Sequence, residues 1–343
     1  MHPSSNIQIS KSKKLRASWY SLVAVSYFGF LLVTLAMPFY LIGPENPDFF
    51  GYKDIYENKG AWLVERSKWS LFLYLTNTHS SYFSNYLMFR YHVVTALTIS
   101  TLLIFIYIAC RRHIPLFLAG LMLMSIFLLR NTVLMREAMS FACLLFALIF
   151  WFQGRPYFIA RPMAFLMLIF AATLHIGGAL ALLVVVLKKF VKIRLSITSI
   201  LGVLIASFVI IYFQQDLVAS FAALHDREEA IKGWTVNRAF LWLFNLGLAL
   251  SLFSALNKIL IGRDLSLVSA GFIMVIFPAL FFSFALRTFE APNVLIVSFI
   301  RSFDLFVHLG AFIVSLKGSL RSKSELLFIG LLFLRALSEY RWL

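Results

Sequence analysis

The sequence predicts an all-α protein, a polytopic transmembrane helical bundle of about 10–11 spans. Three observations carry this. Hydrophobic residues make up 61% of the 343 and charged residues only 13%, against about 45–50% and about 25% in a soluble domain. The mean hydropathy is +0.86. The apolar runs are close to the length of a membrane-crossing helix and show no two-residue alternation, so the spans are helices and not barrel strands.

The elements follow in order. Residues 1–18 form a basic tail containing SKSKKLR, which places the N-terminus in the cytoplasm by the positive-inside rule. The run 19–42 is too long for the apolar core of a signal peptide and is kept as a membrane anchor. Further spans are expected at 88–110, 116–129, 133–153, 157–174, 176–190, 194–213, 238–260, 265–285, 293–316 and 325–341. Two long external loops separate them, at 43–87 and 214–237. Loops of that length between otherwise short connections are usually functional. The first is rich in aromatic residues and is expected to hold an amphipathic or re-entrant segment around Trp69 to Leu75. Residues 19–343 form a single transmembrane domain.

Charge placement fixes the order of crossings. The basic connections are RRH at 111–113, the turn with Arg155 and Arg161, KKFVKIR at 188–194, NKILIGR at 257–263 and LKGSLRSK at 316–323. They share the N-terminal side only if 157–174 and 176–190 are separate helices. The positive-inside rule therefore predicts a break at His175-Ile176-Gly177-Gly178. A broken helix is tolerated where it lines a cavity. Of the 15 acidic residues, only Asp264 and Glu325 fall in the basic connections, and most of the others lie in the two external loops. The net charge of +16 thus reflects topology, and nucleic acid is not an expected partner. Cys110 and Cys143 both fall in apolar runs and suggest neither a disulfide framework nor a metal site. No nucleotide-binding or metal motif occurs, and no cofactor is expected.

Ionisable groups inside spans cost at least ~2.5–3.5 kcal/mol on insertion scales and are functional candidates by default. The first cluster is Arg130, Arg136 and Glu137. An arginine fork suits a phosphate, whereas its structural role would be to snorkel or to pair with a carboxylate. The second is His175 at the break, a base or a donor to an oxyanion, or a cap on a free carbonyl. The third is Arg301, Asp304 and His308, which lie within about 60° of one another around a helix. That stripe must face a wet cavity or polar partners, unless Arg301 and Asp304 simply neutralise each other. The fourth is Arg287 and Glu290 in LRTFEAPN, a short external connection. Arginines near a bilayer surface suit a pyrophosphate, and aromatic, carboxylate-bearing loops suit sugars. The combination points to a lipid-linked glycan.

Four motifs in chain order carry a family resemblance. NPDFFGYKDIY, with Asp48, Tyr52 and Tyr56, precedes Glu65 in LVERSKWSLFLYL. LMREAMSFACLLFAL, FAATLHIGGALALL and FIRSFDLF follow. Together they resemble EpsG-like, Wzy-type polysaccharide polymerases over about residues 25 to 315. The resemblance implies a GT-C-like fold and a metal-independent glycosyltransferase of the bacterial inner membrane. It would work at the periplasmic face on undecaprenyl-pyrophosphate-linked oligosaccharide repeat units, together with a partner that sets chain length. Arg136, Arg301, Arg287 and Arg130 would hold the pyrophosphate. His175, Glu65 and Asp48 are the candidate bases, in no fixed order. Tyr52, Glu137, Glu290, Asp304 and His308 would line the substrate. Two rivals share the anion grip, an O-antigen ligase and a flippase or transporter. A ligase of that kind carries a very large late external loop, whereas here the larger loop is early. No internal repeat supports a transporter. A membrane-bound acyltransferase would need an early His–Arg pair, which does not occur.

Overall fold

The computed structural model describes residues 49–57, 85–112, 135–154, 156–190, 198, 201–203, 205–206, 209, 238–285, 294–318 and 322–340. Among these the chain is almost entirely helical, with no strand. The helices are α1 (Phe49–Glu57), α2 (Tyr86–Arg112), α3 (Met135–Gln153), α4 (Tyr157–Leu174) and α5 (Ile176–Phe190), then α6 (Arg238–Ile259), α7 (Arg263–Gly271), α8 (Phe277–Ala285), α9 (Val294–Lys317) and α10 (Lys323–Tyr340). A π-helical turn, Phe272–Ile276, joins α7 to α8. Its physical cause is Pro278, which lacks an N–H and whose ring would clash with the carbonyl four residues back. The ladder widens there, and Phe277 N–H bonds to Phe272 O instead. The expected runs 19–42 and 116–129, and the Trp69 to Leu75 segment, lie outside the described residues, as does most of 194–213.

The predicted break is present and sharp. One extended residue, His175 (φ −153°, ψ 150°), separates α4 from α5. The two helices then fold back on each other. Gly178 sits so close to the last turn of α4 that a Cβ there would overlap the Ala171 carbonyl and come within 2.7 Å of Ser140 Oγ. At the other end of the pair, Arg161 near the start of α4 acts electrostatically on Lys188 near the end of α5. The helices therefore run antiparallel, as the charge pattern required.

Contacts between helix ends show that four of the basic connections share one end of the bundle. Lys188 Nζ donates to Arg263 O at 2.9 Å. Lys317 lies over the Phe152 ring at 5.2 Å. A Cβ on Gly318 would come within 3.3 Å of Ile259 and 3.4 Å of Glu325 Oε2. The α3–α4 turn, the end of α5, the α6–α7 turn and the α9–α10 turn are thus gathered together. Met135–Glu137 and Leu174–Gly178 lie at the far end.

Helix α9 is the central pillar. From Ser302 to Leu316 it is buried at nearly every position, and it packs against α2, α3, α5, α6, the π turn and α8. A helix that is apolar on all sides belongs in such a place. Close approach to α6 depends on Gly310, where a Cβ would come within 2.6 Å of Leu252.

Helix α4 shows which solvent surrounds the bundle. It buries Ala160, Ala164, Leu168, Ala171 and Leu174 and exposes Phe158, Phe165, Leu166, Ile169 and Phe170. The larger apolar side chains face outward and the small ones make the helix contact, the arrangement used in lipid. Among the described residues three helices are long and apolar enough to cross a membrane, Tyr157–Leu174, Leu241–Ile259 and Arg263–Ser283. The chain is a membrane protein with an all-α architecture.

Gly178→Ala tests the corner. The added methyl meets backbone, which cannot swing away, so a loss of about 1–3 kcal/mol is expected from overpacking. The apparent Tm in detergent should fall by several degrees, whereas Gly330→Ala, where a Cβ meets nothing within 4 Å, should leave it unchanged.

Candidate functional site

A helix that ends within an apolar slab leaves carbonyls and amides without partners. At the α4–α5 corner several of these groups find one. Ala171 O accepts from His175 N at 3.1 Å and from Ser140 Oγ at 2.9 Å. Leu174 O accepts from Arg136 Nε at 3.4 Å. At the start of α5, Gly177 N donates to His175 Nδ1 at 3.1 Å, so the imidazole acts as an N-cap. The first turn of α3 is thereby tied to the corner, and the Arg136 guanidinium is aimed across it.

The His175 geometry also sets its tautomer. With Nδ1 accepting from an amide, the neutral ring carries its proton on Nε2. In this position His175 is arranged to donate a hydrogen bond, not to abstract a proton. Beside Arg136, Glu137 is only 4% exposed, a buried carboxyl in the first turn of α3.

The corner lies directly against α9. A Cβ on Gly177 would overlap the Leu305 side chain. One turn further along, His308 is buried and meets the Phe141 ring of α3 edge-on, with centroids 6.4 Å apart. The first turns of α3, the His175 corner and the Leu305–His308 turn of α9 are therefore neighbours.

The stripe itself is divided. Asp304 turns to α10, where Arg335 Nη2 stands 2.6 Å from Asp304 Oδ1. Asp304 Oδ1 receives no aligned N–H, so this is a charge contact more than a directed hydrogen bond. Arg335 Nη1 donates to Asn245 Oδ1 of α6, and its Cζ lies 5.9 Å from the Phe303 ring centroid. One arginine thus joins α6, α9 and α10. Each of the three residues sits roughly 18–21 Å along its helix from the basic end, well inside a ~30 Å slab. The Asp304 carboxylate has a cation on another helix, Arg335 of α10.

Sequence reasoning missed Arg335 and Asn245. Arg335 carried the same signal as Arg136, a cation well inside an apolar run. It also missed Arg90, which is 1% exposed in the first turns of α2. Arg90 Nη1 donates to Tyr86 OH at 3.1 Å. Tyr56 of α1 packs on Tyr86 and Phe89, at 5.7 Å and 5.2 Å between ring centroids. Burial pushes the Tyr56 phenol above its ordinary pKa. The loop motif with its spaced tyrosines is thereby docked on α2. Glu325, expected among the cytoplasmic connections, is 3% exposed in the first turn of α10, where its amide is capped by Ser322 Oγ.

Of the remaining candidates, Arg301 lies one turn before Asp304 on α9 and Tyr52 lies on α1, with side chains outside the described residues. Asp48, Glu65, Arg130, Arg287 and Glu290 also fall outside them. Compared with known protein-family models, curated proteins and solved structures, the chain finds no match.

The Asp304–Arg335 contact predicts strong coupling. Arg335→Met strands a half-buried carboxylate and should cost about 3 kcal/mol. Asp304→Asn combined with Arg335→Met should recover most of that loss, read as apparent Tm in one detergent. A double variant as unstable as the sum of the singles would show that the two residues act independently.

Proposed function

We propose that the protein is a polysaccharide polymerase of the bacterial inner membrane, working at its periplasmic face. It transfers a growing glycan from undecaprenyl pyrophosphate to the terminal sugar of another lipid-linked repeat unit. The observation that carries this reading is the meeting of Arg136 and His175 at the α4–α5 corner, with α9 packed against it at Leu305, at the end of the bundle opposite the basic connections. Those connections mark the cytoplasmic side by the positive-inside rule. The motif order of the sequence, which resembles Wzy-type polymerases, supports the same reading, and with it a GT-C-like fold of about 10–11 spans.

In the proposed reaction an acceptor hydroxyl oxygen bonds to the anomeric carbon. The bond from that carbon to the pyrophosphate oxygen breaks, and the electron pair leaves with the undecaprenyl pyrophosphate. Arg136 stabilises the charge growing on the leaving group in a water-poor site. His175 Nε2–H is placed to donate to the same oxygens. The hydroxyl proton goes to a carboxylate, for which Asp48 and Glu65 in the first external loop are the candidates. The reading assigns no metal or cofactor to the site. A partner that sets chain length would act on the products.

The test uses the purified full-length protein with a synthetic lipid-pyrophosphate repeat unit, without nucleotide sugar, and a gel of the products. The expected result is a ladder of lengths. Arg136→Ala should lower its rate by about 10²–10³-fold, and Arg136→Lys should recover part of it because the charge remains. An undiminished ladder from Arg136→Ala at normal protein level would remove Arg136 from the mechanism. The broken α4–α5 pair also suits a lipid-linked glycan flippase, since discontinuous helices line transport sites. A single shift with an added lipid A core acceptor would mean a ligase. Movement of the unit across proteoliposomes without any product would mean a flippase.

A further inference from the structure

The basic end of the bundle carries more than a topology signal. Charges that only set orientation project separately into water, whereas here cations from three helices are drawn together. Lys188 of α5 lies in the field of Arg161 of α4 and Arg263 of α7, with Asp264 the one carboxylate acting on it among the described residues. Lys188 is held by its hydrogen bond to Arg263 O, while Arg161 and Arg263 are exposed. Three cations against one carboxylate repel unless an anion sits among them.

Other features of this corner favour an anion. Helices α4 and α7 both begin here, and their N-cap residues, Pro156 and Gly262, provide no side-chain acceptor. Gly262 takes φ +61°, a conformation that suits glycine and leaves the backbone open. The amides and the positive dipole ends are therefore available. Arg161 packs 4.3 Å over the Trp151 ring, and the indole Nε1 has no acceptor.

The same face of α4 continues inward as hydrocarbon. Phe165 and Ile169 are exposed and lie within about 80° of Arg161 around the helix. The stripe runs roughly 12 Å from Arg161 towards the bilayer centre. A free phosphate would use the cations alone, whereas a phospholipid uses both features.

We propose that Arg161, Lys188 and Arg263 form a binding site for the phosphodiester headgroup of an anionic membrane phospholipid, whose acyl chain lies along Phe165 and Ile169. The site rests on the membrane character of the chain and is independent of the glycan reading.

The test is lipid retention by the full-length detergent-purified protein, read by native mass spectrometry during titration with phosphatidylglycerol or phosphatidylcholine. The wild type should retain phosphatidylglycerol preferentially. Each cation removed should weaken that preference about fivefold, so Lys188→Gln with Arg263→Gln should lose most of it. Lys323→Gln, an exposed lysine at the same end, should keep it. If the double variant fails to fold, Arg161→Gln alone, at an exposed position, carries the test. Equal retention of both lipids by the wild type, or an undiminished preference in the cation variants, overturns the proposal. Displacement by millimolar inorganic phosphate, with Phe165→Ala and Ile169→Ala having no effect, overturns the lipid as the source of the anion.

Discussion

The bundle depends on one constraint: a helix cannot end within an apolar slab unless its last carbonyls find donors. At His175 the donors come from α3. Ser140 Oγ serves Ala171 O and Arg136 Nε serves Leu174 O, while the imidazole serves an amide of the next helix. Two glycines let α5 come close enough for this exchange. Because the chain turns back here, α4 and α5 are two helices and not one. The α3–α4 turn, the end of α5, the α6–α7 turn and the α9–α10 turn then arrive at one end.

The same constraint explains the interior of the bundle. Helix α9 is surrounded by protein, so its polar residues meet other helices and not lipid. His308 reaches the Phe141 ring, and Asp304 reaches Arg335. An unpaired charge at that depth would cost at least ~2.5–3.5 kcal/mol. Arg335 offsets this by drawing α6, α9 and α10 to one point. The exposed phenylalanines of α4 and the alanines beneath them follow the inverse rule that lipid imposes. Small side chains bring helices together, and large ones fill the acyl region.

Helix ends were largely legible in the sequence. The runs 157–174 and 176–190 match α4 and α5, and 133–153 matches α3 over its described residues, Met135–Gln153. Runs of membrane length bounded by cations and glycines leave little choice. The break at His175 was legible because charge counting demanded it. Partners across helices were not legible. Asp304 had a plausible partner one turn back in Arg301, and nothing local pointed 31 positions ahead to Arg335. Glu325 counted among the cytoplasmic connections and its burial was not legible, since burial in a first turn is set by the neighbouring Gly318 and Ile259 and not by the local sequence. The π turn depends on how Pro278 meets the carbonyls before it, which hydropathy does not record.

The two ends of the bundle hold cations under different physical conditions, and this separates their chemistry. At the far end the polar groups are ordered by backbone. Arg136 is directed by a carbonyl, His175 by an amide, and Glu137 is buried beside them. Groups already oriented in a low dielectric gain most from charge that appears during a reaction, because little needs to reorganise. At the basic end Arg161 and Arg263 are exposed beside aromatic and aliphatic surface. Exposed cations hold a permanent anion at a membrane surface but stabilise a transient one weakly, since water and salt screen them. The donors that let α4 end within the membrane are therefore also the groups to which the proposed reaction assigns the leaving pyrophosphate.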